Sequence, residues 1–80
     1  MQMKRIARNV ALQTLGYLIS GDTHVEIYKD KYGYSRRENL IYKGVFHYFD
    51  VSDIGMRNYS HCIVTRLNAD ENILYIGIEM

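Results

Sequence analysis

The sequence contains no proline and no tryptophan, and its single cysteine is Cys62. Without proline there is no stiff linker and no marked domain boundary. One cysteine excludes an internal disulfide and sets a reducing compartment as the expectation. No apolar run approaches the roughly 20 residues that cross a bilayer. The longest, Val10 to Ile19, is interrupted by Gln13 and Thr14, so no membrane span is expected. The first residues lack the charged-then-apolar layout and small-residue cleavage site of a secretory signal. The cytoplasm is the expected location.

Motifs that carry chemistry are also scarce. The chain has no GKT or GKS and no GxGxxG, so a glycine loop cradling phosphate is unsupported. His24, His47, His61 and Cys62 show no CxxC, HxxxH or HExxH spacing. Adjacent strand residues such as His61 and Cys62 point to opposite faces and cannot readily share an ion. Cys62 as a nucleophile would need a base and an oxyanion site. Its ordinary use is as a small buried hydrophobe. Asp50 and Asp53 look like helix caps, and Asp70 with Glu71 fall in a hairpin tip, so no carboxylate pair suggests acid–base work. No enzyme, cofactor or metal is expected.

What is present is an ordinary globular composition, 48% hydrophobic and 24% charged over 80 residues. That length makes one domain, residues 1–80, and buries about 60 to 65% of the unfolded surface. A deep enclosed active site is not expected. The net charge of +1 is unevenly spread, because residues 1–44 hold eight Lys/Arg against four Asp/Glu and residues 45–80 hold two against five. Such a chain can offer a basic face to an acidic partner but lacks the strong basicity of a dedicated duplex-DNA binder.

From Gln2 to Ser20 the apolar spacing is helical. Met3, Ile6, Ala7, Val10, Ala11, Thr14, Tyr17 and Leu18 share one arc, and Gly21 can terminate the helix. Leu12, Leu15 and Ile19 form a second apolar patch on its flank. They are either a widening of the core-facing stripe or a dimer or second partner face. THVEIYK alternates as a half-buried strand, and NLIYKGVFHYF, rich in aromatic and β-branched residues, is the expected second strand with a bend at Gly44. DVSDIGMRNY interrupts with a single helical turn that Asp50 or Ser52 could cap and Gly55 could end. HCIVTRL, the NADEN turn and ILYIGIE then form a closing hairpin, with Leu74, Ile76 and Ile78 on one face. The expected fold is α+β, one N-terminal amphipathic helix on a four-stranded antiparallel sheet made of two hairpins.

Between the first two strands lies KDKYGYSRREN, Lys29 to Asn39. A solvated loop of mixed charge is one reading. The other is a contact surface, because Tyr and Arg dominate protein interfaces. On that reading Lys29, Lys31, Tyr32, Tyr34, Arg36 and Arg37 bind a partner. The same residues could stack on unpaired bases and meet phosphates, so a nucleic-acid or nucleotide binder is the alternative.

The opening helix, the strand VEIYK, a strand reaching YKG, the turn DVSDI and the final LYIGI together give a recognisable layout. It resembles the short proteins carried by phages and mobile elements of Firmicutes, a group that has yielded anti-CRISPR and other counter-defence inhibitors. The resemblance covers most of the chain as pattern and transfers no site residue. It implies a non-enzymatic inhibitor that binds a host defence protein directly, often a nucleic-acid-handling complex, sometimes as a homodimer. For a phage-encoded chain the compartment would be the host cell cytoplasm. The +1 charge departs from the strongly acidic character of inhibitors that mimic DNA.

Overall fold

Alternation of Val25 and Ile27 with Glu26 dictates a strand with one buried face. In the computed structural model, which describes residues 10–29, 39–52 and 54–79, that strand is β1, His24–Lys29. Val25 and Ile27 are fully buried in it. The elements in chain order are α1 (Leu12–Gly16), β1, β2 (Leu40–Val45), α2 (Phe46–Asp50), α3 (Met56–Tyr59), β3 (Ile63–Asp70) and β4 (Ile73–Glu79). The fold is α+β. Its sheet has four strands in the order β2-β1-β4-β3.

That order corrects the expected all-antiparallel sheet. Both hairpins form as antiparallel pairs, but they join through β1 and β4, which run parallel with Ile27 opposite Ile76. The sheet is mixed. The two inner strands show why: β4 buries Ile76, Gly77 and Ile78 in succession, and β1 buries Val25, Ile27 and Tyr28. Burial on both faces is the mark of a central strand.

The helical region differs from expectation in the same instructive way. Ala11 is extended (φ −80°, ψ 155°) and α1 begins only at Leu12. Val10 and Ala11 instead lie beside β3, where the Val64 amide donates to the Val10 carbonyl at 2.8 Å and the Leu12 amide to the Cys62 carbonyl at 2.8 Å. An arc counted from Gln2 therefore does not run through α1, and the expected helix before Val10 lies outside the described residues. Leu12 and Leu15 are buried and Ile19 packs against the core, while Tyr17 and Leu18 face solvent. The helix stops at Gly16, and the Tyr17, Leu18 and Ile19 amides close tighter turns on the carbonyls three residues back.

The second expected strand is also shorter. β2 ends at Val45 because Phe46 and Phe49, three residues apart, both bury on one side of a helical turn. Its opening amides are satisfied by the preceding connection: Phe46 donates to the Thr23 carbonyl and His47 to the Gly21 carbonyl, both at 2.8 Å. Gly44 remains paired with Val25, at φ 146°, while the bulge in this hairpin lies at Ile27/Tyr28. Gly55 both closes the turn from Ser52, its amide donating to the Ser52 carbonyl at 3.2 Å, and opens α3. The last turn is tighter than NADEN suggests. β3 runs to Asp70, and Glu71 and Asn72, both at positive φ, form a two-residue connection of the kind whose twist suits a hairpin.

The core lies between the helices and one face of the sheet. Leu12, Leu15, Phe46, Phe49 and Met56 meet Val25, Ile27, Val64, Ile76 and Ile78 there. Among the described residues no helix is long and apolar enough to cross a membrane.

Candidate protein-docking face

The residues expected to contact a partner separate into two groups. Lys29 is exposed at the end of β1. Lys31, Tyr32, Tyr34, Arg36 and Arg37 lie outside the described residues. Leu12, Leu15 and Ile19 belong to the core or pack against it, which is the first of the two roles open to them. Leu12, at 0% exposure, offers nothing to a second chain.

A different set of large apolar side chains faces solvent. Burial of Leu12 and Leu15 turns Tyr17 and Leu18 outward, 78% and 80% exposed. Burial of Phe46 and Phe49 likewise presents Tyr48 and Val51, one helical turn apart, at 66% and 63%. Ile54, in the α2–α3 connection, is 75% exposed. Three of these side chains border clefts. Tyr17 and Val51 line one open cleft of about 390 Å³, together with Gln13, Asp50, Ser52 and Arg57. Ser52 also borders a second, more closed cleft of about 280 Å³ that Ile54 shares with Ile41, Tyr42, Phe49, Asn58 and Tyr59.

Packing fixes this side of the molecule. Ring centroids of Tyr42 and Phe49 are 5.2 Å apart, and those of Phe49 and Tyr59 are 6.3 Å apart. The Tyr42 hydroxyl donates to the Val45 carbonyl at 2.6 Å. In the connection, the Ile54 amide donates to the Ser52 hydroxyl at 3.1 Å, and the Gly55 amide to the Ser52 carbonyl at 3.2 Å.

The far face of the sheet has another character. Register places Glu26, Lys43, Tyr75 and Asn68 side by side there, and the Tyr28 hydroxyl donates to Glu26 at 2.5 Å. Desolvation, then the negative charges of Glu26, Asp70 and Glu71, push the Tyr75 phenol up from its ordinary pKa. Burial alone pushes the Cys62 thiol up. His24, His47 and His61 are exposed on separate segments, and among the described residues no three His, Cys, Asp or Glu come together to hold a metal ion.

Sequence reasoning missed Tyr48 because it carried β2 through Phe49, and Val51 and Ile54 because it read Asp50 to Tyr59 only for its caps. The Phe46–Phe49 spacing was the available cue to a helical turn. No protein-family model, no curated protein and no solved structure matches this chain.

Proposed function

We propose that this chain is a protein-binding module whose helical side docks on a partner protein. In keeping with its layout, the partner is a host defence protein, inhibited by direct contact without catalysis. The observation that supports docking is the exposure of Tyr17, Val51 and Ile54 on two clefts that share Ser52, with Leu18 and Tyr48 exposed in the same helical segments. Single exposed apolar residues are common; a contiguous group of large ones marks a binding surface. At about 150–250 Å² per aromatic side chain, and with somewhat less for the aliphatic ones, this group exposes on the order of 600 Å². That is enough for the apolar part of a standard-size interface of ~800 Å² per partner. The inhibitory consequence rests on the resemblance of layout, and the Lys29–Arg37 loop remains part of the proposal as a second contact.

The charge on this side also favours a protein over nucleic acid. Among the described residues, Asp50 and Arg57 line the larger cleft and offset one another, whereas phosphate binding calls for a basic stripe. The test is photo-crosslinking in bacterial cells, with benzoylphenylalanine placed at Tyr17, Tyr48 or Ile54, and at Asn68 on the far face as the control. One discrete, nuclease-resistant protein adduct shared by the three positions and missing at Asn68 is expected. Equal adducts from Asn68, adducts that vanish with nuclease, or none at all overturn the reading.

A further inference from the structure

Within the proposed docking face, and resting on the protein-binding reading, we infer that the smaller cleft is an anchor socket for one neutral aromatic side chain of the partner. Tyr42, Phe49 and Tyr59 supply its walls, with Phe49 within ring-stacking range of both tyrosines at 5.2 and 6.3 Å. An aromatic ring set offset or edge-on against such walls gains interaction beyond its buried area, which an aliphatic side chain does not. The walls are set before any ligand arrives, since Phe49 is 2% exposed and the Tyr42 hydroxyl is held by Val45 at 2.6 Å. Tyr42 therefore offers its ring rather than its hydroxyl.

Size and charge narrow the occupant. The volume of about 280 Å³ is just below the range of roughly 300–1,000 Å³ that holds whole small-molecule ligands. A single aromatic side chain fits within it. None of the described lining residues carries a charge, so a cation or carboxylate entering would lose its hydration without a counter-charge from them. A neutral ring has no such cost. Asn58, exposed on α3, also lines the socket and carries an amide able to pair with an indole N–H or a phenol O–H. Ile54 forms the apolar rim and connects the socket to the rest of the face. Interfaces concentrate their affinity in such pockets filled by aromatic anchors.

The probe is indole itself, titrated into the full chain and followed by amide chemical shifts, with cyclohexanol as the non-aromatic comparison. Saturable shifts centred on Ile41, Ile54, Asn58 and Tyr59 are expected, with a Kd of the order of millimolar for so small a ligand. Cyclohexanol should bind about tenfold more weakly. Asn58→Phe fills the socket and should abolish the shifts; Ile54→Asp, at an exposed position, weakens them without threatening the fold. Unsaturable shifts, equal binding of cyclohexanol, or indole binding unchanged in both variants overturns the socket. This readout is independent of any partner. Loss of indole binding with position-dependent crosslinking intact removes the socket alone, while indole binding without crosslinking overturns the protein source of the ring.

Discussion

Replacing Gly55 with alanine tests how the helical side is held together. A Cβ at this position would lie 2.2 Å from the Phe49 carbonyl oxygen and 3.0 Å from its carbonyl carbon and Cδ1. Non-bonded carbon contacts settle near 3.5–4.0 Å, so the backbone must separate by about 1 Å. The obstacle is main chain and cannot rotate away. The same carbonyl accepts the Ser52 amide at 3.3 Å and belongs to the residue whose ring fills the core. Overpacking of this kind costs about 1–3 kcal/mol, and the rigid neighbour places Gly55→Ala near the top, about 3 kcal/mol. A domain of this length is stable by roughly 4–12 kcal/mol in total, so the loss is severe and the melting temperature should fall by roughly 12–24 °C. Urea unfolding followed by circular dichroism measures it. Gly21→Ala is the control, because the nearest atom there is the His47 Cβ at 3.6 Å. It should change stability by less than about 1 kcal/mol. If the two variants unfold at the same urea concentration, the close approach of Gly55 to Phe49 is not what joins α2 to α3.

Two further outcomes follow from burial. Leu12→Asp should leave the chain unfolded, since it forfeits about 2–5 kcal/mol of packing and buries a carboxylate without a partner at a site of 0% exposure; a folded monomer by circular dichroism and sedimentation would refute the core assignment. For Cys62, folding raises the thiol pKa through burial. Its contribution to stability is complete below the unfolded value of ~8.5 and is lost as pH rises through the folded value. Urea midpoints should therefore decline above pH ~8.5 more steeply in the wild type than in Cys62→Ala, and equal slopes would contradict this.

Much of the strand pattern was legible because it is local. Val25 and Ile27, or Ile76 and Ile78, alternate with residues on the other face whatever their neighbours are. The candidate face was not legible, since exposure of Tyr17 and Tyr48 depends on where α1 and α2 begin. Those starts are set by long-range partners: Cys62 and Ser60 accept the Leu12 and Gln13 amides, and Thr23 and Gly21 accept those of Phe46 and His47. Helical periodicity alone cannot locate such a start. Counting the arc from Gln2 put Tyr17 and Leu18 on its main side, where the structure exposes them, and left Leu12 and Leu15 on a flank whose role, core or partner face, stayed open.

By itself the sequence determined the α+β class, the two hairpins and the buried faces of β1 and β4, because those follow from side-chain alternation along a few residues. Only the tertiary structure decided that β1 and β4 lie side by side and parallel. Alternation tells which face of a strand is dry, while the choice of neighbour is a contact between segments almost fifty residues apart. The docking face and its socket belong to that second kind, assembled from α1, β2, α2 and α3 only once the shared core has set where each helix begins.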